Sequence, residues 1–87
     1  MNRDGDAGAM RKAYILINTR SPYTWKVVHA LRRRPGVAWA DAVTGPPSII
    51  CVLEEADAET IASTDVPNIR NLKGVERVVT CFAIKGE

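Results

Sequence analysis

The sequence predicts a single α+β domain of order βαββαβ, and three observations carry that reading. Four runs dense in strand formers (KAYILIN, VAWADAVT, SIICVL and VERVVTCFAI) alternate with two segments of helical spacing. Leu31-Arg32 with Gly36-Val37 and Ile69-Arg70 with Gly74-Val75 recur at one offset (74 − 36 = 38), each pair of dipeptides marking a helix end that enters a strand. The 87 residues, 46% apolar and 25% charged, suit one small folded unit.

Residues 1–10 are rich in Gly, Asp and Asn without periodicity, so a flexible leader is expected there and one domain over 11–87. From Lys12 the run KAYILIN is apolar on both alternating faces, as in a central strand covered on both sides. Ser21-Pro22 then starts a helix, the serine as cap and the proline at the first helical position. Trp25, Val27, Val28 and Leu31 recur at helical spacing, and Arg32, Arg33 and Arg34 fill the last turn, where positive charge suits the helix dipole. Pro35-Gly36 ends the helix.

Val37 to Thr44 reads as the second strand, Gly45-Pro46-Pro47 as a turn, and Ser48 to Leu53 as the third strand of a hairpin. Asp57 is placed to cap a second helix carrying Ile61, Ile69 and Leu72. Pro67 lies inside that helix and cannot donate to its ladder, which predicts a kink or break near Thr64-Asp65. Lys73-Gly74 closes the segment before the last strand, Val75 to Ile84. The order is the ferredoxin-like one.

Several function classes fall away. The 12 basic and 10 acidic residues give +2, too little to indicate nucleic-acid binding. The longest apolar run, Ile49 to Leu53, is far too short for a membrane span, and the N-terminal stretch lacks the apolar core of a signal peptide, so a cytoplasmic protein is expected. Cys51 and Cys81 lie in apolar strand runs without CxxC spacing and read as buried small hydrophobes. One histidine and two scattered cysteines do not make a metal site, and no metal or cofactor is expected. His29 has no carboxylate or thiol at catalytic spacing and reads as a surface residue, and Arg32 to Arg34 as a solvated helix end.

Right-handed crossovers place both helices of a βαββαβ chain on one face of its sheet. The strands are nevertheless apolar on both faces, so the second face is expected to be buried against another copy of the chain. Tyr14, Leu16, Ile50, Val52 and Phe82 are the expected interface residues of a homodimer or higher homo-oligomer. Cover by the leader or by a kinked segment is the alternative. Trp25 and Trp39 are assigned to core packing or subunit contact.

The residues LRRRPGVAWADAVTG, SIICVL and IRNLKGVERVVTCFAI resemble the ligand-binding domain of the leucine-responsive regulator and asparagine regulator (Lrp/AsnC) family over almost all of Lys12 to Ile84. Its most specific parts are Pro35-Gly36-Val37, Ala42-Val43-Thr44-Gly45 and Gly74-Val75-Glu76-Arg77. The resemblance implies a dimeric α+β barrel, often assembled into larger rings, that binds amino acids or related effectors between subunits. Full-length members carry an N-terminal DNA-binding helix-turn-helix, for which the first ten residues leave no room. A stand-alone effector-binding and oligomerisation domain involved in transcriptional regulation is therefore expected, without direct DNA binding and open to mixed assembly with full-length members. The loop departs from the family pattern, where an aspartate usually stands at the place of Ser48 after Pro46-Pro47.

Thr44, Gly45 and Ser48 are the candidate ligand residues, because a hairpin turn at a subunit junction offers backbone N–H groups to a carboxylate. A plain turn is the alternative for the same residues. Two other functions stand beside effector sensing. A small cofactor-free enzyme on the same barrel, monooxygenase- or isomerase-like, would have Tyr14, Asn18, Thr80 and two thiols to work with, and a ligand-free assembly module would need none of them.

Overall fold

The structure, a computed structural model, describes residues 10–84. The expected leader lies, except for Met10, outside the described residues. Strand β1 (Arg11–Thr19) leads through a 3-10 turn (Ser21–Tyr23) into helix α1 (Thr24–Arg32) and strand β2 (Val37–Ala42). Strand β3 (Ile49–Glu55) follows the hairpin. The second helical segment has three consecutive pieces, α2 (Ala58–Thr60), a π-helical turn (Ile61–Asp65) and α3 (Val66–Arg70), before strand β4 (Val75–Phe82). The strands form one antiparallel sheet in the order β2-β3-β1-β4, the ferredoxin-like arrangement.

The second helical segment runs unbroken through the place where a kink or break was expected, by way of a π-helical turn. Val66 N–H, on the residue immediately before Pro67, reaches back to Ile61 O, five residues away. Widening the turn there accommodates a proline whose ring would otherwise collide with the carbonyl four residues earlier. Asp57 caps the segment as expected, its Oδ1 accepting from Thr60 N–H at 2.7 Å. Ser21 does not cap α1: Arg20 occupies the position before the 3-10 turn, and no side chain bonds there.

The repeated dipeptides build twin turns. Arg34 N–H donates to Leu31 O at 3.0 Å, and Leu72 N–H to Ile69 O at the same length. Val37 N–H then meets Arg34 O, as Val75 N–H meets Leu72 O. Gly36 and Gly74 take φ of 88° and 94°, a conformation that costs a side chain energy and glycine none. The carbonyl of each glycine accepts from the far end of the other half's central strand, Gly36 from Glu54 and Gly74 from Arg20. Both edge strands also slip register one residue after entering the sheet, at Ala38 and at Glu76.

The helices cover one face, where Ala13, Ile15, Ile17, Ile49, Cys51 and Leu53 pack with Val27, Val28, Leu31, Ile61 and Ile69. Burial and the nearby Asp65 push the Cys51 thiol up to about 12. No helix among the described residues is long and apolar enough to cross a membrane. Trp25, placed by spacing on the apolar stripe, points outward and is 59% exposed, its ring centroid 6.1 Å from that of His29.

Candidate functional site

Pairing fixes which residues share the face left uncovered by the described residues, because directly opposed residues of antiparallel strands project to the same side. One row across it reads Trp39, Val52, Tyr14, Cys81, and the next Asp41, Ile50, Leu16, Val79. Within those rows Trp39, Tyr14 and Val79 are exposed, and Val52, flanked by Trp39 and Tyr14, is buried. Four of the five expected interface residues therefore lie together. Phe82 does not: its register partner is Ala13, so it belongs to the helix side at the sheet's end. Cys81, expected to be buried, is exposed because β4 turns it to the uncovered face opposite Tyr14.

At the hairpin end of this face, Pro46 and Pro47, joined by a cis peptide, border a shallow depression of about 300 Å³ whose other lining residues are Leu16, Asn18, Arg77 and Val79. Asn18 and Arg77 are register partners, so an amide and a guanidinium stand side by side over an apolar floor. That combination can hold a small ligand by its carboxylate while Leu16, Val79 and the prolines meet an apolar part. Neither Asn18 nor Arg77 was singled out from sequence as a ligand residue. The signal was present in the period-two spacing of Leu16 with Asn18 and of Arg77 with Val79, which places each pair on one face.

The expected ligand residues border this depression without lining it. Gly45 is packed against the Pro47 carbonyl, so closely that a Cβ would collide with it, and its role in the described structure is to let the turn close. Thr44 is exposed at the turn. Ser48 is committed to the scaffold: its Oγ accepts from Thr19 N–H at 2.9 Å and lies 2.9 Å from Thr19 Oγ1 and 3.2 Å from Ile17 O. With Thr24 Oγ1 2.7 Å from Thr19 Oγ1, one consistent proton order runs from Thr24 through Thr19 and Ser48 to the Ile17 carbonyl. This hydroxyl chain ties the hairpin, the end of β1 and the start of α1.

The groups available for enzyme chemistry are divided between the faces: Tyr14, Asn18 and Cys81 on the uncovered side, Cys51 and Thr80 on the other. Among the described residues no group of three or more His, Cys, Asp or Glu side chains is placed to hold a metal ion. One titratable group stands out elsewhere. Asp65 is 5% exposed, and its Oδ2 has no hydrogen-bond partner among the described residues. Burial, then the neighbouring Glu55 carboxylate, pushes its carboxyl up to about 6, against a smaller opposing effect of Arg34.

Comparison with known proteins agrees with this architecture. A family model described as the Lrp/AsnC ligand binding domain matches residues 12–86. The chain is similar to TTHA0845 from Thermus thermophilus, at 29% identity and TM-score 0.82, over 90% of this chain and 98% of that one. It resembles NapD, a Tat proofreading chaperone protein of E. coli, at 25% identity and TM-score 0.69, over 90% and 81%. The transcriptional regulator NMB0573 of Neisseria meningitidis, solved in complex with L-Met, shares the fold at 19% identity and TM-score 0.74, over 86% of this chain and half of that one. No curated protein gives a significant sequence match.

Proposed function

The chain belongs to the Lrp/AsnC ligand binding domain family, and from that premise we propose that it is an effector-binding and oligomerisation module of transcriptional regulation, without catalytic activity. The observation that carries the reading is the uncovered sheet face, whose exposed Trp39, Tyr14 and Val79 run up to a depression holding Asn18 and Arg77. Burial at about 25 cal/mol per Å² of apolar surface favours a second copy on that face. The effector site then lies at the rim of the subunit contact, where a change of occupancy alters assembly.

The effector in this reading is an amino acid, its carboxylate on Arg77 and Asn18 and its side chain against Leu16, Val79 and the Pro46-Pro47 turn, with Thr44 and Gly45 at the mouth. The L-Met complex of NMB0573 supports that class of ligand. The likeness to NapD shows why the fold by itself does not choose the ligand. Mixed assembly with full-length regulators would bring the module to DNA that it does not itself contact.

Light scattering with and without the twenty amino acids tests the proposal. A dimer or larger ring whose mass or melting temperature responds to an amino acid, and no longer responds in Arg77→Gln, is the expected result. A stable oligomer indifferent to every amino acid would instead leave the assembly module without ligand, a reading favoured by the structural commitment of the Ser48 hydroxyl. A folded monomer would remove the basis for both.

A further inference from the structure

On the helix side, away from the face assigned to the partner subunit, a second depression of about 230 Å³ lies between α1 and the turn that enters β4. Its lining is Tyr23, Lys26, Val27, Ala30, Leu72 and Lys73, in which two cations and no acid rim an apolar floor. The position of Tyr23 is set by close packing: a Cβ on Gly74 would collide with the Tyr23 side chain, so the glycine that the turn demands for its φ of 94° also makes room for this ring. Two cations converge on the ring, the Lys73 Nζ 5.6 Å and the Arg20 guanidinium carbon 5.9 Å from its centroid. Lys26 of α1 follows Tyr23 of the 3-10 turn by three residues, and Val27 and Ala30 line the same depression.

Three positive charges at one depression, two of them over the Tyr23 ring and the third, Lys26, in its lining, repel one another, and a doubly charged anion offsets that repulsion. Lysine ammonium groups bind phosphoryl oxygens as point charges, and a guanidinium supplies directed N–H donors. The floor of Val27, Ala30 and Leu72 accepts a small apolar body attached to the anion. We infer that the depression bounded by Tyr23, Lys26 and Lys73, with Arg20 beside it, is a binding site for a phosphate monoester carrying a small apolar group. It is separate from the proposed effector site and stays open when two sheet faces meet.

The chain contains an internal control, since Lys12 Nζ also lies over an aromatic ring, 5.5 Å from the centroid of Tyr14, but on the other face. The test is a titration with inorganic phosphate and with phenyl phosphate, at constant ionic strength against chloride, followed by amide NMR shifts. The expected result is saturable movement of amides in Tyr23 to Ala30 and Leu72 to Gly74, with phenyl phosphate binding more tightly than phosphate. K26Q and K73Q, made singly and together at exposed positions, each weaken binding about tenfold, as loss of one charge-assisted contact implies, while K12Q leaves it unchanged. Shifts no larger than those from chloride would overturn the inference. So would undiminished affinity in a folded K26Q/K73Q variant, or tighter binding of phenylacetate than of phenyl phosphate.

Discussion

Replacing Asp65 by asparagine should abolish a pH dependence of stability that this carboxyl creates. In the fold its pKa is raised from 3.8 to about 6 by burial and by the Glu55 carboxylate beside it. The folded chain therefore holds this proton more tightly than the unfolded chain does. The stabilisation linked to it is complete below 3.8, declines as pH rises through about 6, and is gone above that. At about 1.4 kcal/mol per pH unit between the two values, the folded state near pH 8 is disadvantaged by roughly 2 to 3 kcal/mol relative to its state near pH 4. Protonation also gives Oδ2, which has no partner among the described residues, a hydrogen to donate toward Glu55. An asparagine stays neutral at every pH and keeps a donor at that place, so Asp65→Asn should gain about 1 to 3 kcal/mol near pH 8 and little near pH 4. Urea denaturation of both proteins across this range measures the difference. A flat profile for the parent chain, or a slope that survives in Asp65→Asn, would refute the assignment.

Other expectations follow from the same geometry. Gly74→Ala should destabilise by about 2 kcal/mol or more, because a left-handed backbone and a collision with the base of Tyr23 act together. Gly36→Ala should cost less, since its obstacle is the end of the flexible Glu55 side chain; chemical denaturation ranks the two. Ser48→Ala removes the link between Thr19 and Ile17 and should lower stability by about 1 to 2 kcal/mol in the same assay. Leu16→Glu with Val79→Glu should yield a folded monomer by light scattering. In that monomer Cys81 reacts promptly with a thiol reagent and Cys51, buried and with its pKa raised to about 12, only after unfolding; equal reactivity of both would contradict the face assignment.

Strand and helix order was legible because each boundary carries its own chemistry, and the twin glycine turns even revealed the relation between the halves. Side-chain direction was less legible at the ends. Phe82 and Cys81 follow one another in an apolar run, and only the pairing of β4 with β1 tells which faces the helices. Trp25 matched the helical spacing but sits at the start of α1, where little of the sheet reaches it, and so it is exposed. In the candidate site, the sequence pointed to the hairpin but named the residues that shape the turn. Asn18 and Arg77 lie 59 positions apart, and their adjacency is a product of strand register. Asp65 gave no sign at all, since nothing in a short π-helical stretch announces a buried carboxyl opposite the end of another strand.

The twin turns have a topological consequence. Ala83 N–H donates to Lys12 O, so the two ends of the sheet's own chain path lie side by side. Cutting the hairpin between β2 and β3 and joining β4 to β1 with a short loop produces a chain that again runs strand, helix, strand, strand, helix, strand, with the same spatial order of strands. The fold is thus closed under circular permutation by half its length. Each half meets the other through the same glycine carbonyl contact, and which half comes first is a property of the polypeptide and not of the architecture.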